Sequence, residues 1–120
     1  NLYVRKAVEF IQNNYADPVR VKDIADYVGV NRSYLYTLFQ DNLQLSPKEY
    51  LTNFRLTRAA ELLQLTDLSV ETVAMSCGYQ DALGFSKIFK AKMGITPSAY
   101  RKENTAWQET KRKEEIDLTF

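Results

Sequence analysis

Residues 21–51, VKDIADYVGVNRSYLYTLFQDNLQLSPKEYL, and residues 70–101, VETVAMSCGYQDALGFSKIFKAKMGITPSAYR, carry one pattern twice. With a shift of 49, Ile24 pairs with Val73, Ala25 with Ala74, Val28 with Cys77 and Gly29 with Gly78. The shift then becomes 50, pairing Asn31 with Asp81, Leu35 with Phe85, Leu38 with Ile88, Phe39 with Phe89, Leu45 with Ile95, Pro47 with Pro97 and Tyr50 with Tyr100. A solenoid needs about three or more repeats to bury a continuous core, so two copies read instead as one duplicated unit. The second copy holds one inserted residue.

Apolar residues recur at helical spacing: Val4, Val8, Ile11 and Tyr15, then Val21, Ile24, Ala25 and Val28, then Leu35, Leu38 and Phe39. This is the stripe of an amphipathic helix, and no period-2 strand pattern competes with it. Pro18, Gly29, Pro47, Gly78, Gly94 and Pro97 fall at the joints of the pattern, with Gly84 the exception. The expected fold is all-α, with about seven helices and an irregular tail. Each copy has the grammar of a helix-turn-helix: a short helix, a turn with glycine and a second helix crossing the first steeply. Gly29 and Gly78 suit the left-handed residue after the first helix, and Asn31 and Asp81 suit the N-cap of the second. Ala25 and Ala74, four residues before each glycine, would let the two helices approach closely.

Composition narrows the function. The 120 residues are 45% hydrophobic and 26% charged, a globular composition of one-domain length. No apolar run approaches the roughly 18 residues of a membrane span, and the chain opens on Asn1 rather than Met, so a soluble fragment of a longer protein is expected. One cysteine excludes an internal disulfide, and the absence of histidine excludes His-assisted nucleophilic catalysis and the common zinc sites. With no glycine-rich phosphate loop either, no enzyme, cofactor or metal is expected. Asp23 and Asp26, three apart on a short helix, read as solubilising charges rather than an acid–base pair. Cys77 reads as a small buried hydrophobe without reactivity. The net charge of +1 is weak evidence for a polyanionic partner, but Ala82 to Lys102 holds five bases and no acid.

The outward faces carry the functional signal. With Leu35, Leu38 and Phe39 turned to the core, Ser33, Tyr36, Thr37 and Gln40 share the other face of their helix; in the second copy the equivalents are Leu83, Ser86, Lys87 and Lys90. Neither set includes an acid. A helix entering the major groove passes between phosphates and offers hydrogen bonds or methyl contacts to base edges, which carboxylates would oppose. The plain alternative is a solvated face, but Tyr36 and Leu83 are odd choices for solvent. Between the copies a long helix from Pro47 to about Leu63 would span roughly 26 Å, enough to hold both second helices near successive major grooves about 34 Å apart. The half-sites would then lie in tandem rather than as a palindrome.

These residues resemble the DNA-binding domain of the AraC/XylS family of bacterial transcription regulators. The resemblance is strongest in Gly78-Tyr79-Gln80-Asp81, in Phe85-Ser86-Lys87-Ile88-Phe89-Lys90 and in Gly94-Ile95-Thr96-Pro97-Ser98-Ala99-Tyr100-Arg101. It covers about residues 2 to 103, including Ile24-Ala25, Tyr34-Leu35, Arg55-Leu56, Ala59 and Leu62-Leu63. It implies a seven-helix domain bound to promoter DNA in the bacterial cytoplasm, activating transcription through RNA polymerase, with an effector ligand bound by a separate N-terminal domain. By position, base contacts fall on Ser33, Tyr36, Thr37, Leu83, Ser86 and Lys87, and DNA-backbone contacts on Asn31, Arg32, Gln40, Lys90 and Arg101. Gln44 stands where a helix-ending glycine is common, and Gly84 costs its helix about 1 kcal/mol in propensity. Arg55 and Arg58 suit either phosphate contact or an ion pair with an acid such as Glu61.

The expected division is a first helix-turn-helix over 1–46, a linker helix over 47–64, a second helix-turn-helix over 65–103 and a flexible tail over 104–120. The rival reading is a domain of this shape that binds protein rather than DNA. Salt discriminates the two, because phosphate contacts weaken steeply with ionic strength and an apolar interface does not.

Overall fold

The computed structural model describes residues 1–105 and 113–114. The helices are α1 (Leu2–Asn14), α2 (Val21–Val28), α3 (Arg32–Leu43), α4 (Pro47–Leu65), α5 (Val70–Ser76) and α6 (Ala82–Met93), and a seventh, α7, begins at residue 97 and continues through 105. No strand occurs among the described residues. Residues 104 and 105, expected in the tail, continue α7; Trp107 and the first two residues of the basic run Lys111-Arg112-Lys113, also expected in the tail, lie outside the described residues.

The helix boundaries follow from local chemistry. Asn31 Oδ1 accepts the Tyr34 amide at 2.7 Å and Asp81 Oδ1 accepts the Gly84 amide at 2.6 Å, so both second helices begin on the expected caps. α4 opens on a reciprocal box in which Ser46 Oγ accepts Glu49 N and Glu49 Oε1 accepts Ser46 N, with Pro47 in the first helical position. At 19 residues α4 is about 28 Å long, slightly longer than the sequence suggested.

α4 also divides the core. Its Leu51 joins Ala7, Ile11, Ile24, Ala25, Val28, Leu35 and Phe39 in one apolar cluster. One turn on, Leu56, Ala59, Ala60 and Leu63 join Val73, Ala74, Cys77, Phe85 and Phe89 in a second. Each cluster is the inside of one helix-turn-helix, and the molecule is drawn out to 59 × 32 × 22 Å. No polar or charged side chain is buried among the described residues.

Cys77 is fully enclosed in the second cluster, and burial pushes its thiol from an ordinary 9.0 up to about 11. A raised folded-state value stabilises the native protein below the unfolded pKa and ceases to do so as pH rises through the folded one. Stability should therefore decline between about pH 9 and 11 through this group, and that component should vanish in Cys77→Ala. At pH 8 the thiol should react with a disulfide reagent only as fast as the protein opens; immediate labelling would contradict its enclosure.

Gln44 has φ 57°, the only positive φ on a non-glycine among the described residues, and its counterpart Gly94 has φ 88°. A side chain costs about 1–2 kcal/mol in this region. Gln44→Gly is expected to stabilise the protein by about 1 kcal/mol in urea denaturation, a gain that an unchanged midpoint would refute.

Candidate nucleic-acid interface

The two second helices present their expected faces, though unequally. α3 buries Leu35, Leu38 and Phe39 and leaves Ser33, Tyr36 and Thr37 exposed, Tyr36 at 52%. Gln40 is only half-exposed at the far end of the stripe. Thr37 Oγ1 donates to Ser33 O at 3.2 Å, which leaves its oxygen as an acceptor facing outward. Asp41, one turn beyond Thr37, is exposed, so the acid-free surface covers the first turns of α3. Those are the turns a recognition helix uses for base edges.

α6 buries Phe85 and Phe89 and exposes Leu83 at 68%, together with Lys87 and Lys90; Ser86 is half-buried. Ile88, paired with Leu38 in the repeat, is 38% exposed where Leu38 is 7%. The second face is thus more apolar and more basic than the first. Gly84 proves to be the third residue of α6 rather than an interior defect: its amide meets the Asp81 cap, and a Cβ there would lie 3.2 Å from the carboxylate. Its backbone therefore contributes to the start of α6 more than its propensity suggested.

Beside α3 lies an open groove of about 680 Å³. Arg32, Ser33, Tyr36 and Thr37 line one side, and Ser46, Pro47 and Lys48 from the start of α4 line the other. The structure therefore brings four of the expected DNA-facing residues to one concavity and adds Lys48, which the sequence reading missed. A signal existed. A lysine in the first turn of a helix sits at the positive end of the helix dipole, an unfavourable place by about 0.3–1 kcal/mol unless an anion comes near.

Three arginines are committed to the fold. Arg58 pairs with Glu61 at 2.5 Å and its Nε meets Tyr15 Oη at 3.3 Å, which settles the ion-pair alternative for that side chain. Arg55 Nε donates to Tyr15 O at 2.8 Å and Nη2 to Asp17 O at 2.9 Å; burial pulls its pKa below the ordinary arginine value. Arg101, expected on the DNA backbone, donates Nε to Leu63 O at 2.9 Å and Nη2 to Leu68 O at 2.5 Å. These carbonyls belong to the end of α4 and the loop after it, so Arg101 ties α7 to that loop. Of the four remaining backbone candidates, Asn31, Arg32 and Lys90 are exposed and Gln40 is half-exposed, with the Asn31 Oδ1 occupied by its cap.

Among the described residues no helix is long and apolar enough to cross a membrane, and no group of three or more His, Cys, Asp or Glu side chains could hold a metal ion. Two helix-turn-helix units whose second helices are exposed and free of acids over their first turns define a DNA-binding module of a transcription regulator. The family model described as a helix-turn-helix domain matches residues 24–103. The chain is 42% identical over 96 residues to the raffinose operon transcriptional regulatory protein RafR of Pediococcus pentosaceus, covering 80% of this chain and 35% of that protein. It is 43% identical over 98 residues to the lactose operon transcription activator of Staphylococcus xylosus, covering 82% and 35%. Among solved structures, the C-terminal domain of AraT, a response regulator from Geobacillus stearothermophilus, superposes with a TM-score of 0.83 at 32% identity, covering 86% of each chain. The chain belongs to the AraC/XylS-type helix-turn-helix family of bacterial DNA-binding transcription regulators, which are not enzymes. It spans about a third of the length of these curated relatives.

Proposed function

We propose that the module reads promoter DNA with α3 and α6 in successive major-groove segments and activates transcription of a carbohydrate-utilisation operon. The observation that carries this reading is the pair of exposed faces at equivalent places in the two copies, both without acids over their first turns. Ser33, Tyr36 and Thr37 on α3 and Leu83, Ser86 and Lys87 on α6 contact bases. Asn31, Arg32, Gln40 and Lys90 position the module on phosphates, and any phosphate contact by Arg101 is made with what its two carbonyl bonds leave over. RNA polymerase is the partner through which activation acts, in the bacterial cytoplasm, and an effector is sensed by an N-terminal domain outside these residues. The operon class is supported by the names of the raffinose and lactose regulators.

The test begins by selecting binding sites from a random duplex pool and titrating the winner by fluorescence anisotropy at several salt concentrations. Thr37→Ala and Lys87→Ala should each weaken binding by about 1–3 kcal/mol, roughly five- to 150-fold. Thr37→Ala should also relax preference at the bases it faces, and affinity should fall steeply with salt. If both variants keep the affinity and sequence preference of the parent, the reading fails. Flat salt dependence would favour the protein-binding rival.

A further inference from the structure

The two helix-turn-helix units touch each other directly, and the contact is built from residues outside the recognition faces. Arg55 sits on α4 between Leu51, which faces the first core, and Leu56, which faces the second. Its guanidinium holds Tyr15 O and Asp17 O, the carbonyls that end α1 and begin the turn to α2. The same guanidinium carbon lies 5.7 Å from the centroid of the Tyr79 ring, in the turn between α5 and α6. Tyr79 in turn packs on Phe85, the first core residue of α6, with centroids 5.3 Å apart.

Gly78 brings this turn against the first unit. A Cβ built on it would fall 2.4 Å from Tyr15 O and 2.8 Å from Arg55 Nε, so only glycine permits the approach. Gly29, its partner in the repeat, has nothing within 4 Å. The residue inserted in the second copy lies in this same turn, where Gly78-Tyr79-Gln80-Asp81 replaces Gly29-Val30-Asn31. The repeat therefore departs from symmetry where the second unit meets the first.

The geometry points to Arg55, with Tyr79 and Gly78, as a latch that fixes the relative placement of α3 and α6 and so sets the spacing between half-sites that the module accepts. This rests on the proposal that both helices read DNA. A linker helix alone would leave the units to bend about its middle, the point at which its side chains change from one core to the other. The latch bridges that point. Arg55 and Tyr79 are positioning residues: they act on DNA only through α3 and α6.

The experiment has one arm without DNA and one with it. Spin labels are placed at Asp41→Cys and Ala91→Cys, exposed positions equivalent in the repeat, with Cys77 enclosed in the core. The parent should give a narrow distance distribution, Arg55→Gln and Tyr79→Leu a broad one, and Tyr79→Phe, which keeps the ring face, a narrow one. Thermal melts establish that each variant is folded. In the second arm, one base pair is inserted between the half-sites of the selected operator, turning one half-site by about 35° relative to the other. The parent should lose about tenfold or more in affinity, while Arg55→Gln and Tyr79→Leu lose about threefold or less relative to their own binding at the original spacing. A distribution that stays narrow in folded Arg55→Gln and Tyr79→Leu overturns the latch, as does unchanged spacing discrimination. Broadened distances in a protein that binds no duplex would retain the latch and sink the DNA reading.

Discussion

Gly78→Ala is expected to destabilise the protein by about 3–5 kcal/mol, and Gly29→Ala by only about 1–2 kcal/mol, although the two glycines are partners in the repeat. Both have left-handed backbones, with φ +92° and +88°, and a side chain meets the same intrinsic penalty at either place. The difference lies in what the new methyl group touches. At Gly29 it enters open space; at Gly78 it falls 2.4 Å from a backbone oxygen, which has no rotamer by which to move aside. Relief requires the turn to withdraw from Tyr15, loosening Arg55 as well. Urea denaturation of the two variants side by side measures this, and equal losses would mean that the units do not meet at Gly78.

The second large effect separates the two cores. Phe39 and Phe89 are each fully buried, one against Tyr50 with centroids 6.0 Å apart and the other against Phe85 and Tyr100 at 5.6 and 5.5 Å. Truncation of either to alanine should cost about 3–5 kcal/mol, a large part of the stability of a domain this size. Because the aromatic rings belong to different clusters, the damage should be local. Hydrogen exchange followed by mass spectrometry should show Phe39→Ala exposing α1 to α3 and Phe89→Ala exposing α5 and α6. Uniform loss across both halves from either substitution would show that the two cores unfold as one.

What could be read from the sequence follows from how local each cause is. Asn31 and Asp81 cap helices through atoms three residues away, so their roles are visible in the order of residues. The burial of Phe39 and Phe89 follows from helical periodicity, as does the exposure of Tyr36 and Leu83. Arg55 and Arg101 escape this logic. Their carbonyl partners lie 33 to 40 residues away, and nothing local separates an arginine that holds a loop from one that meets a phosphate. Arg58 was partly legible because Glu61 is three residues on, whereas its contact with Tyr15 crosses 43 residues. Gly78 was recognised for its backbone conformation but not for the approach it permits. The repeat pairs Ile88 with the buried Leu38, but the surroundings of the second unit leave it partly open. The grooved surface beside α3 was missed for a similar reason, since Lys48 joins Thr37 only after the chain has turned at Ser46.

The single long helix between the units has a consequence for how any bound site is used. Two units joined head to tail have no axis that exchanges them, unlike a pair of identical subunits related by a two-fold. The module consequently has a front and a back, and a duplex that holds it acquires an arrow. Reversing the same site on its promoter would keep every base contact and the same affinity, yet point the rest of the module toward the opposite flank. Occupancy and output would then be separable by inversion alone.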